Sequence, residues 1–275
     1  MCFNQKTYNL CLANKDFKSK YDINKLLISD FNDTENLYLY KSILGNKYIN
    51  KGYRLNYNLI NTLKSLFSLH NETINIWTHI FPFFINLSVF FISDNYFTRL
   101  FFILTSPIFL ASSLFHLLIP IIKTLYQYHF LLLLDMLGIV LGIAGIETYI
   151  FNKFVSDEIF YPIIIFYTIN LIPLINLLNF QIHVVECRNK IIKYLFIVNS
   201  IILSIIFFNF KNNNNNINPF YILILNLVFI FSLIINMILH YPEKACSNKF
   251  DLFCSSHQIW HIVVIFYIYG IYYIT

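Results

Sequence analysis

The chain has 275 residues, of which 57% are hydrophobic and only 12% are charged. This composition excludes a soluble globular domain, in which about 25% of the residues are usually charged. The formal net charge of +5 accompanies long charge-poor stretches, so we attribute the basic excess to membrane topology and expect no nucleic-acid partner.

The beginning of the chain is polar. Residues 1–53 are rich in Asn and Lys and show no sustained hydrophobic period, which predicts a polar cytosolic N-terminal segment. Residues 54–73 differ because their apolar side chains recur at helical spacing. These side chains are Leu55, Leu59, Leu63, Leu66 and Phe67. The pattern predicts an amphipathic interfacial helix on the inner membrane surface.

Seven apolar segments follow, and each is close to the ~20 residues that a helix needs to cross a bilayer. They cover about 74–93, 99–119, 126–149, 159–179, 191–210, 219–240 and 256–275. We therefore predict an all-α, multi-pass integral membrane protein in which residues 74–275 form a seven-transmembrane helix bundle.

The distribution of Lys and Arg predicts the orientation of this bundle. With a cytosolic N-terminus, 16 of the 19 basic residues fall on the inner side of the membrane. This bias favours a cytosolic N-terminus and a C-terminus outside. The five cysteines also fall on the predicted cytosolic side, where we expect free thiols.

Four titratable residues fall at matching depths in the predicted helices. His257 and His261 are four residues apart, so both imidazoles lie on one helical face. His116 lies near the cytosolic end of the second span. Asp135 lies two or three turns into the third span from the same side. All four therefore lie in the inner half of the bilayer, where ionisable groups are usually functional.

These residue types are suited to a zinc site. Three neutral imidazoles, from His116, His257 and His261, can bind Zn²⁺ tetrahedrally and leave one position for a water molecule, as catalytic sites do. Asp135 could hold or orient that water, and Ser112 shares the helical face of His116 and could bond either group. The alternative is that the histidines are polar packing residues near the interface. The four-residue spacing of His257 and His261, together with the charge of Asp135 at a similar depth, favours the zinc site over the packing role.

A second polar cluster precedes the first span. Its members are Ser65, Phe67, His70, Glu72, Asn75 and His79. Glu72, Asn75 and His79 share a helical face at spacings of three and four. Two interpretations stay open: ordinary polarity at a helix start, where acids are favoured, or a network that braces the inner mouth of the site.

Several runs of residues resemble one family. The run from Ser65 to His79, SLFSLHNETINIWTH, resembles the signature of the progestin and adipoQ receptor family, which includes adiponectin receptors and haemolysin III proteins. The other matching runs are Tyr48–Arg54, Ser112–His116, Asp135 with Gly138, Phe250-Asp251 and Ser256–His261. The resemblance covers about residues 45–275 and is nearest to the adiponectin-receptor branch.

The resemblance implies a seven-helix fold with a cytosolic N-terminus and a zinc ion held by His116, His257 and His261. It implies supporting positions for Asp135 and Ser112, and lipid-linked signalling with hydrolysis of ceramide-like amides. In that reaction an activated water attacks the amide carbonyl and Asp135 moves the proton.

Three functions stay open at this stage. The first is a zinc-dependent hydrolase of the ceramidase type, and the second is a signalling receptor with structural zinc. The third, a haemolysin-like pore, ranks last because the spans have few polar stripes. The expected partners are the bilayer and a lipid substrate or ligand. The sequence does not decide whether the chain forms a homodimer or which membrane contains it.

Overall fold

The computed structural model describes residues 46, 48–54, 57–122, 125–154, 219–246 and 248–274. Within these ranges the chain is helical and contains no strand. The α-helices are α1 (Leu59–Lys64), α2 (Thr73–Ile92), α3 (Tyr96–Leu118), α4 (Leu125–Phe154), α5 (Pro219–Ile234) and α6 (Ser256–Ile274). A π-helical turn, Ile235–Leu239, directly extends α5.

Five of the seven predicted spans coincide with helices that are long and apolar enough to cross a membrane. They correspond to α2, α3, α4, α5 with its π-helical turn, and α6. The predicted spans 159–179 and 191–210 lie outside the described residues. Large apolar side chains such as Phe84, Phe91 and Phe231 are exposed on these helices. A hydrocarbon environment accounts for such a surface.

The segment 54–73 is not one continuous helix in the structure. The Asn58 side chain accepts a hydrogen bond from the Asn61 backbone N–H and starts α1, which gives way to a 3-10 turn ending at Phe67. The chain then leaves the helical path because the Thr73 hydroxyl donates to the Ser68 carbonyl and accepts from the His70 backbone N–H. Such local bonds compete with helix continuation.

Helices α3 and α4 pack closely because glycines of α4 lie against the backbone and side chains of α3. A Cβ atom added to Gly138 would lie 2.5 Å from the carbonyl oxygen of Pro107, so only glycine allows this approach. Close backbone contact at small residues is a common way for membrane helices to associate. The contact brings the start of α4, with Asp135, against the part of α3 that carries Ser112.

Helix α6 packs against both α2 and α5, and its buried face belongs to the apolar core. Ile268 and Ile271 on α6 are almost fully buried, as are Phe101 and Phe109 on α3. This packing holds the first turns of α6 beside the last turn of α3. The histidines of the two helices therefore meet at one end of the bundle.

Candidate metal centre

Three imidazole rings converge between α3 and α6. Nε2 of His257 lies 3.2 Å from Nε2 of His116 and 3.2 Å from Nε2 of His261. One ligand atom from each of the three residues falls within 4.8 Å of the others, so the group could hold a metal ion. His116 and His261 are buried, and His257 is half-buried.

The second nitrogen of each ring has a hydrogen-bond partner of its own. Nδ1 of His116 lies 2.7 Å from Oε2 of Glu72, and Nδ1 of His257 lies 3.4 Å from Oδ1 of Asn236. Nδ1 of His261 lies 3.3 Å from the hydroxyl oxygen of Thr78, which donates its own proton to the carbonyl of residue 74. All three partner atoms are therefore acceptors, and each ring carries its proton on Nδ1.

This proton arrangement leaves three Nε2 lone pairs facing one another. A neutral imidazole has one donor and one acceptor nitrogen, so no Nε2 has a proton to share with its neighbours. A cation between them removes the repulsion. Zn–N bonds of about 2.0–2.1 Å in a tetrahedral site place neighbouring nitrogens about 3.3 Å apart, close to the separations found here. The donor set therefore fits Zn²⁺ in both chemistry and spacing.

The partner of His116 is itself firmly held. Glu72 also accepts a hydrogen bond of 2.6 Å from the Asn75 amide, and its backbone N–H donates to Nδ1 of His70. Burial by itself would raise the pKa of the Glu72 carboxyl, but His116 and Asn75 hold that pKa at about 2. A carboxylate fixed in this way orients the ring of His116.

Arg54 contacts the main chain of the same histidine, His116. Its guanidinium is buried and donates to the His116 carbonyl at 2.7 Å and to the Ser65 hydroxyl at 2.8 Å. The carbonyls at the end of α3 lack helical partners, so this contact satisfies one of them. Of the two interpretations of the cluster at residues 65–79, these contacts favour the bracing network.

His79, a further member of that cluster, packs against the centre. Its ring stacks on the ring of His261 with centroids 3.8 Å apart, and it meets Phe109 edge-on. Neither ring nitrogen of His79 has a hydrogen-bond partner among the described residues. The stacking restricts the plane of the His261 ring.

A cavity of about 90 Å³ opens beside the three histidines. His257 and His261 line it together with Ser112 and Asp135, so the structure brings both predicted supporting residues next to the centre. Ser112 is buried and Asp135 is half-buried. The remaining wall is mostly apolar, and includes Ile108, Ile139, Ile143, Ile146, Phe229, Trp260, Val264 and Ile268.

Two of these hydrogen-bond partners, Thr78 and Asn236, were not predicted from the sequence. Thr78 follows Asn75 by three residues, so helical spacing does place it next to the face of Glu72 and Asn75. Asn236 is a polar residue within an apolar segment, which is itself a signal of function. Its position in the π-helical turn explains why α-helical periodicity gave no indication that it faces His257.

Known proteins are similar to this chain over most of its length. The family model described as haemolysin-III related matches residues 67–271. An uncharacterized protein of Schizosaccharomyces pombe is 30% identical over 243 residues, covering 80% of this chain and 54% of the relative. The heptahelical transmembrane protein ADIPOR3 of Oryza sativa subsp. japonica is 52% identical over 42 residues, which is 15% of this chain and 10% of that protein. The chain thus spans about half the length of the fission-yeast relative.

Proposed function

Because the chain belongs to the haemolysin-III-related family of multi-pass membrane proteins, we propose that it is a zinc-dependent hydrolase of lipid amides of the ceramide type. The observation that carries this proposal is the convergence of three Nε2 atoms whose Nδ1 partners are all acceptors. A structural site closes its coordination with a fourth protein ligand, whereas a three-histidine set leaves a position open.

The metal ligands in this proposal are His116, His257 and His261. When bound, Zn²⁺ supplies a Lewis acid that polarises a carbonyl oxygen and acidifies a water molecule. The protein contributes the fixed orientation of the rings, through the hydrogen bonds of Glu72, Asn236 and Thr78. His257 and His261 line the cavity, which would give a substrate amide access to the histidines.

Asp135 and Ser112 are the proposed catalytic residues. Amide hydrolysis adds water across the C–N bond and yields a carboxylic acid and an amine. Asp135 accepts a proton from the attacking water and delivers it to the leaving nitrogen, as a general base and then a general acid. Ser112, on the same wall of the cavity, donates or accepts a hydrogen bond that orients the water or the Asp135 carboxylate.

The cavity wall supports a lipid as the substrate. Beyond the polar end, isoleucine, valine, phenylalanine and tryptophan side chains line it, and such a surface favours an alkyl chain. A hydrolase within the bilayer can also receive its substrate from the surrounding lipid.

The proposal also includes the number and orientation of the membrane spans. We infer seven spans within residues 74–275, with the N-terminus in the cytosol and the C-terminus outside. The heptahelical name of the rice relative supports this number of spans. Residues 54–73 lie on the inner surface, where exposed Ile60, Phe67 and Leu69 contact lipid, and residues 1–53 form the cytosolic segment.

Metal analysis of the purified protein tests the zinc centre. We expect stoichiometric zinc in the wild type and its loss in His257→Ala. Hydrolysis of a short-chain ceramide then tests the reaction, and Asp135→Asn should keep zinc but lose turnover by about a hundredfold or more. Wild-type protein without zinc overturns the proposal. Zinc without turnover favours a receptor with structural zinc, whereas turnover unchanged in Asp135→Asn overturns the catalytic role of Asp135.

A further inference from the structure

The far end of the cavity contains a buried carboxyl group that the proposed hydrolysis does not use. Glu147, on α4, is 1% exposed and lines the cavity. Neither of its carboxyl oxygens has a hydrogen-bond partner among the residues that the structure describes. Burying an unpaired acid within a membrane is strongly unfavourable, and such residues generally serve function.

Glu147 is well separated from Asp135 along α4. It follows Asp135 by twelve residues on the same helix, which corresponds to about 18 Å along the helix axis. Both residues line the same cavity, so the cavity is elongated along the bundle. Its two polar ends are joined by the apolar wall described above.

Two side chains of the cavity, Glu147 and Tyr267, have hydrogen-bonding capacity that the described residues leave unused. The hydroxyl of Tyr267, on α6, donates to Oδ1 of Asn226 at 2.8 Å. The Tyr267 oxygen therefore has only acceptor capacity left. A carboxyl group buried without a partner takes its neutral form, so Glu147 offers one O–H donor and one acceptor oxygen, and it becomes a carboxylate only beside a cation. A ligand hydroxyl satisfies both residues by donating to Tyr267 and accepting from the neutral Glu147, and a ligand ammonium satisfies them by donating to Tyr267 and to the Glu147 carboxylate that it stabilises.

We infer that Glu147 and Tyr267 form a second recognition subsite, which binds a hydroxyl or ammonium group carried on the chain of an elongated lipid. Glu147 thereby acts as a specificity-determining residue for the ligand of this cavity. The inference rests on the proposed function, because it takes fatty-acyl compounds as the ligands. The acyl carboxyl group of such a ligand lies at the end of the cavity that the histidines line.

Direct binding to the purified, zinc-loaded full-length protein in detergent tests the subsite. The probes are ω-hydroxy and ω-amino fatty acids, from octanoic to palmitic chain length, each compared with its unsubstituted parent. We expect at least one chain length at which the substituted acid binds about tenfold tighter, as hydrogen bonds to charged groups generally provide. Equal binding of all three classes at every length overturns the inference.

Variants of Glu147 identify the group responsible and the preferred donor. Glu147→Leu should abolish the preference, whereas Asp94→Asn, which removes an exposed acid, should leave it intact. Glu147→Gln keeps an acceptor but no charge, so a hydroxyl preference survives this change and an ammonium preference is lost. A preference that persists in Glu147→Leu overturns the inference.

Two readouts separate this subsite from the metal centre. Lauryl alcohol, compared with lauryl methyl ether, tests donor recognition without any carboxyl group at the histidines. A Glu147-dependent preference for the alcohol supports the subsite even if zinc or turnover is absent. The ligand-free Glu147→Leu protein should melt at the same or a higher temperature, because the substitution removes an unpaired buried acid. A lower melting temperature indicates a structural acid and overturns the recognition role.

Discussion

Nδ1 of His116 lies 2.7 Å from Oε2 of Glu72, and this bond joins the last turn of α3 to the residue that precedes α2. It is the shortest of the contacts made by the Nδ1 atoms of the three histidines. A carboxylate that accepts from a ligand imidazole both fixes the ring and increases its basicity. The proposed metal affinity therefore depends on a residue outside the ligand set.

Replacing Glu72 should weaken metal binding without removing a ligand. Glu72→Gln keeps an acceptor but loses the negative charge, so we expect zinc affinity to fall by about tenfold or more. Competition with a chromophoric chelator measures the affinity. Asp94→Asn serves as the control for the loss of an exposed acid. Unchanged affinity in Glu72→Gln would mean that the contact is only structural.

Asn236 should matter less than Glu72. Its contact with His257 is longer, at 3.4 Å, and it involves a neutral acceptor. Long neutral hydrogen bonds are weaker than short charge-assisted ones. Asn236→Ala should therefore lower zinc affinity by less than Glu72→Gln does in the same chelator titration. The opposite order would contradict the role assigned to the two contacts.

Gly138 should tolerate no side chain. The Cβ of Gly138→Ala would lie 2.5 Å from the Pro107 backbone carbonyl, which cannot move without shifting α3. We expect a stability loss of about 1–3 kcal/mol, as overpacked sites show, and a lower melting temperature in detergent. Gly270→Ala is the matched control, because its Cβ would meet only the flexible end of Leu225, at 3.0 Å. Equal melting temperatures for the two variants would refute this account.

His70 should make stability depend on pH. Burial, followed by the charge of Arg54, lowers the pKa of His70 from 6.5 to about 4. The neutral ring is required because Nδ1 accepts from the Glu72 backbone N–H. With a lower pKa in the folded state, the unfolded chain binds the proton more tightly. The contribution of His70 is therefore complete above about pH 6.5 and is lost as pH falls towards about 4.

Thermal unfolding in detergent across this pH range measures the effect. The wild type should lose melting temperature on acidification, and His70→Asn should lose less because it has no proton to bind. The difference between the two curves isolates His70 from other titrating groups. Parallel curves would show that His70 does not contribute.

The sequence by itself determined the membrane class, the approximate bounds of the five described membrane helices and the shared face of His257 and His261. Hydropathy and helical periodicity are properties of one segment, so they can be read without knowing the neighbours. Within the predicted segment 54–73, the described residues form a short helix and a 3-10 turn, and local hydrogen bonds of Ser68, His70 and Thr73 then end the helical path.

Only the tertiary structure decided which acceptor each histidine faces and where the cavity leads. Those contacts depend on how helices are rotated and how closely they cross, as at Gly138, where the absence of a side chain sets the approach. The π-helical turn that carries Asn236 breaks the 3.6-residue period on which sequence arguments rely. In the sequence, Glu147 is a single acid within an apolar segment. It becomes a candidate recognition group only in the structure, where it lines the same cavity as Tyr267 of α6.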